Sequence, residues 1–243
     1  MKGSIIILGT CDDLKTESPL ISFASADVGS GKICRDLVRQ EAKVHNARGV
    51  FEITLPLGAA DCTTQVISLK KRKPDYVIIY GFPANTTAFF RDAMRLGLST
   101  PFIVLQYGCV ESTVRIAGKS AQNMTGLNCF SSWDEESQGM KKMREITYRY
   151  HPDSGRRDRN YIQGWMLGFL IGEGLKNAGK DLNREAFVKG LEAINNFDTK
   201  GICGIMDYGP DDHKPIDYSR FYKADTERGR LIPITDWRKP KGS

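Results

Sequence analysis

The chain of 243 residues carries a formal net charge of +6, with 40% hydrophobic and 26% charged residues, an ordinary globular balance with enough length to bury a core. Its basic residues fall in scattered groups (Lys70-Lys71-Arg72-Lys73, Arg156-Arg157-Asp158-Arg159, Arg238-Lys239-Pro240-Lys241) without interleaved aromatics, which argues against a nucleic-acid partner. No run approaches the ~18 apolar residues of a membrane span, His45, His151 and His213 share no metal-ligand spacing, and none of Cys11, Cys34, Cys62, Cys109, Cys129 and Cys203 forms a C-x-x-C pair, so no metal or cofactor is implied.

Ser4–Leu8 reads as a short strand; with Met1-Lys2 before it and Asp12-Asp13 after it, it is too short for the core of an export signal. Cys11–Pro19 is polar loop, and Leu20–Phe23 is a second short strand. The turn-rich Ser25–Gly31 leads into a helix over Lys32–Lys43, with Ile33, Leu37, Val38 and Ala42 on its apolar side. Val50–Leu57 is the next strand. Asp61 caps a helix through Thr64, Val66, Ile67 and Leu69 that ends in lysines before Pro74.

Tyr76–Tyr80 is almost wholly apolar and bounded by Pro74 and Gly81, the pattern of a strand buried on both faces. Asn85 or Thr86 caps a helix with Phe89, Phe90, Ala93 and Met94 on one side, and Gly97 suits a left-handed C-cap. Phe102–Leu105 is a further buried strand. Residues 20–108 thus read β-α-β-α-β-α-β, which predicts a three-layer α/β/α lobe with a mostly parallel sheet. Loops Gly81–Asn85 and Gln106–Glu111 fall at the carboxyl ends of two strands, where open α/β sheets bind ligands.

Beyond Gly108 a short helix is predicted at Ser112–Gly118, a strand at Gly126–Phe130, and helices at Glu136–Tyr150, Asn160–Ala178 and Asn183–Ile194. Gly164, Gly168 and Gly172 recur every fourth residue on the most apolar of these, a spacing suited to close helix packing. Ser219–Lys223 and Arg230–Ile234 read as antiparallel strands.

Two motifs fail on inspection. Val28-Gly-Ser-Gly-Lys32 departs from the phosphate loop twice, with Ala26 in place of the first glycine and Ile33 after the lysine. Cys109 follows a strand beside Glu111, but sequence places no histidine near it to activate a nucleophile. Phe82, Gln106 and Tyr107 put aromatic surface and hydrogen-bonding groups at the sheet edge, a mixture that suits small amphiphilic ligands as well as plain core packing.

Several stretches together resemble a known family: Asp27-x-Gly-x-Gly before a helix, ITLPLGAADCTTQVISLKKRKPDYVIIYG over 53–81, FFRDAMRLGLSTPFI over 89–103, and the closing segments at 161–202 and 208–224. They look like the second lobe and C-terminal part of branched-chain amino-acid (Leu/Ile/Val)-type periplasmic binding proteins, the substrate-binding components of ABC importers. The resemblance covers about residues 20–237 and implies the type I periplasmic binding protein fold, here as an α/β lobe over 1–125, a largely helical, incomplete part of the other lobe over 126–205, and C-terminal hairpins over 206–243 crossing back.

It implies a non-enzymatic receptor that closes two lobes on a small solute and presents it to an ABC permease, periplasmic or extracellular in the intact parent. The chain then looks N-terminally truncated, which predicts impaired binding and an apolar face over 160–178 open to self-association. Carried across, the ligand-binding positions are Val28, where the family often has an aromatic residue, Phe82, Gln106, Tyr107 and Glu111. With no carboxylate before Glu111, an amide, urea-like or aromatic-acid solute joins the amino acids as an expectation. A ligand-sensing domain of the same fold and a cysteine-dependent enzyme using Cys109 are the alternatives.

Overall fold

The structure, a computed structural model, describes residues 17–58 and 60–239; the strand expected at Ser4–Leu8 lies outside them. The described chain falls into two compact units, residues 17–128 with 220–239 and residues 129–219. The family resemblance implies divisions at 125/126 and 205/206.

Unit 1 runs β1 (Leu20–Ala26), α1 (Gly29–Val44), β2 (Gly49–Leu55), α2 (Thr63–Arg72), β3 (Tyr76–Tyr80), α3 (Pro83–Arg95), β4 (Phe102–Val104), α4 (Glu111–Ala117), β5 (Met124–Asn128), β6 (Arg220–Asp225) and β7 (Arg230–Pro233). The strands form one sheet in the order β2-β1-β3-β4-β5-β6-β7. β1 to β5 are parallel, whereas β6 pairs antiparallel with β5 and β7 antiparallel with β6.

Alternation along the strands sorts the core into two layers. Val77 and Ile79 of β3 join Leu55, Val66, Leu69, Phe89, Phe90 and Phe102 on the α2–α3 face. Ile78 and Tyr80 join Ile21, Phe23, Val38 and Ile103 on the α1 face. Phe102 anchors the first layer, its ring centroid 5.4 Å from Phe89 and 5.3 Å from Phe90. Each such fully buried side chain contributes about 2–3 kcal/mol of transfer free energy.

Helix termini follow local chemistry. α2 begins at Thr63 because the Asp61 carboxylate accepts from the Thr63 backbone N–H at 2.9 Å and the Thr63 hydroxyl at 2.8 Å. It stops at left-handed Lys73, before Pro74. α3 begins two residues before the predicted Asn85 cap, since Pro83 suits the first helical position and Asn85 Oδ1 reaches back to the Phe82 N–H at 2.8 Å. Gly97, with φ 68°, closes α3 as expected.

Unit 2 contains α5 (Gln138–Tyr150), α6 (Arg159–Ala178) and α7 (Arg184–Glu192). Ser137, Asp158 and Asn183 cap them through side-chain oxygens. Trp133, Met140, Met143, Ile162, Met166, Leu170, Ile194, Ile202 and Met206 are buried within this unit. The glycine repeat does not do what its spacing suggests: a Cβ at Gly164, Gly168 or Gly172 would meet nothing within 4 Å. Close packing of α6 on α7 falls instead at Gly174 and Gly190, where a Gly190 Cβ would overlap the Gly174 carbonyl oxygen. α6 buries Ile162, Met166, Leu170 and Gly174 and leaves Leu167, Phe169, Ile171 and Leu175 exposed.

Candidate functional site

The strand order reverses at β1–β3: β2 lies on one side of β1, and β3, β4 and β5 follow on the other. In open α/β sheets the loops leaving the carboxyl ends at such a point diverge and leave a crevice. Here those loops are Asp27–Val28, leading to α1, and Gly81–Phe82, leading to α3. The turn after β4 adds a third.

Three aromatic rings meet there. Tyr80, the last residue of β3, stands edge-on to Tyr107 with centroids 5.9 Å apart, and Phe82 lies 5.9 Å from Tyr107 at a tilt of 46°. Tyr80 is buried, whereas Phe82 and Tyr107 are 36% and 38% exposed, large for aromatic side chains already packed on a neighbour. The Tyr80 hydroxyl donates to Ser30 Oγ at 2.9 Å, tying β3 to the first turn of α1. Burial holds the Tyr80 phenol above its ordinary pKa, partly offset by the Ser30 hydrogen bond, so it stays a neutral donor at neutral pH.

The loops carrying Phe82 and Tyr107 are seated on each other by two glycines. The Leu105 N–H donates to the Ile79 carbonyl at 2.8 Å, and the Gly108 and Cys109 N–H groups turn back to the Leu105 carbonyl at 3.0 Å. A Cβ on Gly108 would stand 2.9 Å from Thr86 Oγ1 and 3.0 Å from the Gly81 carbonyl oxygen, and one on Gly81 would stand 2.6 Å from the same hydroxyl. Both positions therefore require a bare backbone. Among the sequence-derived candidates, Val28 is the half-buried N-cap of α1, packed against the α1-side core, and Gln106 is half-buried beside Tyr107.

Glu111 behaves differently. It opens α4 at only 2% exposure, and its charge reaches the buried Tyr222 phenol. Burial is the main cause raising that phenol; Arg220 opposes it, donating from Nε to the hydroxyl at 2.8 Å while its guanidinium lies 4.2 Å over the Trp237 ring. Sequence reading missed this Arg220–Tyr222–Trp237 group, and it missed Tyr80 and Ser30 as site residues. A tyrosine closing a strand whose interior is aliphatic is the one signal that pointed to Tyr80.

Cys109 is placed in the core, not in the crevice: it is fully buried, and a Cβ on Gly126 would overlap its sulfur. A nucleophile needs an accessible, stabilised thiolate, so the cysteine-enzyme alternative does not fit. Burial also raises the Cys62 thiol to about 11, Cys129 to about 11 and Cys203 to about 12. Among the described residues no group of three His, Cys, Asp or Glu is placed to hold a metal ion, and no helix is long and apolar enough to cross a membrane.

A family profile described as periplasmic binding protein matches residues 21–230. No curated protein sequence matches. Among solved structures, a branched-chain amino-acid ABC transporter protein from Thermus thermophilus with bound valine superposes at a TM-score of 0.83 and 19% identity, covering 99% of this chain and 65% of that one. A fatty acid ABC transporter substrate-binding protein from Thermomonospora curvata gives 0.86 at 15% identity, over 98% and 63%. An ABC transporter solute-binding protein from R. palustris in complex with benzoate gives 0.77 at 15%, over 98% and 63%. The chain therefore spans somewhat less than two thirds of each of these relatives and shares their fold.

Proposed function

The chain belongs to the periplasmic binding protein family, and on that premise we propose that the carboxyl edge of unit 1 is one wall of a solute-binding site serving an ABC importer. Family and fold are those of binding proteins rather than enzymes. The observation that carries the reading is the exposed Phe82–Tyr107 pair, held by buried Tyr80 at the point where the strand order reverses.

Apolar rings beside a few oriented polar groups suit a solute with a flat or branched apolar body and one or two polar ends. Valine and benzoate, the ligands named for two similarly folded proteins, are of this kind. We assign Phe82 and Tyr107 to the body of the solute, Gln106 and Val28 to its flanks, and Glu111 to a buried role behind the wall. An amino acid or a related amide, urea-like or aromatic acid is the solute class, and an ABC permease is the partner. A sensing module of the same fold would use the same wall and differ only in what it is attached to.

Calorimetric titration with valine, benzoate, urea and their amide analogues tests the reading. Weak but saturable binding of at least one solute, as suits a chain with impaired binding, is expected, weakened about tenfold further by Phe82→Ala through lost ring contact. Absence of binding across the panel, or binding indifferent to both Phe82→Ala and Tyr107→Ala, refutes it.

A further inference from the structure

The near-miss phosphate motif has an unclaimed feature. α1 is a 16-residue helix whose N-cap, Val28, offers no side-chain hydrogen bond, and no acidic residue stands in its first turn. The backbone N–H groups of such a turn carry about half a positive charge. Gly29 and Ser30 are exposed, while Gly31 is buried because its Cβ would overlap the Ala26 carbonyl oxygen. Under the same turn lies Ser25, fully buried, its Cβ 3.6 Å from where a Gly31 side chain would be, and its hydroxyl has no hydrogen-bond partner. A buried hydroxyl without a partner is costly, so a second polar group at this spot, solute or bridging water, is called for.

The same turn is continuous with the aromatic wall, because Ser30 Oγ accepts from Tyr80, whose ring packs on Tyr107. The neighbouring charges are Asp27 and Lys32, both exposed. Asp27 does not occupy the turn: its backbone N–H bonds the Leu55 carbonyl, and its carboxylate makes no hydrogen bond to α1.

We propose that the first turn of α1, Gly29-Ser30-Gly31, binds the carboxylate of an apolar or aromatic organic acid whose body lies on Phe82 and Tyr107. The proposal rests on the solute-binding reading above and adds the charge of the solute and the place where it docks. Amide donors and a helix N-terminus favour a carboxylate over its neutral amide, so an acid should bind about tenfold tighter than the matching amide.

The test uses the ¹⁵N-labelled chain titrated with benzoate against benzamide and with valine against valinamide. Whichever acid binds is expected to shift the Ser30 and Gly31 amide resonances and to outcompete its amide about tenfold. Ser30→Asp, which puts a carboxylate in the first turn where it favours the helix, should fold normally and weaken the acid about tenfold more than it weakens the amide. Equal affinity of acid and amide, shifts confined to other residues, or Ser30→Asp without effect would overturn the inference and leave solute binding intact. Failure of both acids and both amides to bind removes the two readings together.

Discussion

Gly108→Ala perturbs the seat of the candidate site without touching its surface. Its φ is not left-handed, so alanine meets no backbone strain; the cost is steric. The new methyl would lie 2.8 Å from Val104 Cγ1, 2.9 Å from Thr86 Oγ1 and 3.0 Å from the Gly81 carbonyl oxygen. Overpacking of this kind costs about 1–3 kcal/mol, and the stiffer unfolded chain returns about 0.4–1 kcal/mol. The net expectation is a loss of about 1–2 kcal/mol, or a Tm lower by roughly 3–6 °C for a chain of this size.

Thermal melts followed by circular dichroism measure it, and the turn bearing Gln106 and Tyr107 should shift enough to weaken solute binding as well. Adding Thr86→Ala removes one of the three contacts and should restore part of the loss, a coupling of at least about 0.5 kcal/mol. A Gly108→Ala variant within about 0.5 kcal/mol of the parent would show that the two loops are not seated on each other as described.

Gly190→Ala should loosen unit 2 by about 1–2 kcal/mol because its methyl overlaps the Gly174 carbonyl, whereas Gly168→Ala, open to solvent, should stabilise by up to about 1 kcal/mol; chemical denaturation separates the two. Asp225 has its carboxyl held below the ordinary range first by the Arg228 backbone N–H, then by Arg230. A depressed folded-state pKa adds stability above the ordinary value of 3.8 that fades as pH falls through the folded value, so the deficit of Asp225→Asn should be present at pH 7 and vanish in acid. The exposed face of α6, with Leu167 57% and Phe169 46% exposed, should drive self-association that Phe169→Lys reduces, read by sedimentation velocity as a shift toward monomer.

The α/β lobe was legible because its signals are local. Short apolar runs ended by Gly or Pro mark buried strands, and the 20–108 alternation of strand and helix leaves a parallel sheet as the economical solution. Helix starts were less legible where two caps compete: Asn85 looks like a cap, but in space it serves the Phe82 amide and α3 begins at Pro83. The glycine repeat of α6 misled because spacing shows which residues share a face, not which face meets a neighbour.

The site divides the same way. Phe82, Gln106 and Tyr107 were visible as polar and aromatic residues just past strand ends. Ser30 and Tyr80 were not, since their hydrogen bond spans fifty residues and exists only because β3 lies beside β1. Glu111 read as a ligand-binding carboxylate after a strand; at the opening of α4 it is buried, a consequence of long-range packing that no local pattern encodes.

Hydrogen–deuterium exchange with and without a saturating solute from the panel tests the central claim most directly. Solute bound at the carboxyl edge of unit 1 should slow exchange over residues 28–31, 81–86 and 105–109 and leave the exposed face of α6 unchanged. Protection confined to other segments, with those three loops exchanging as before, would contradict the placement of the site.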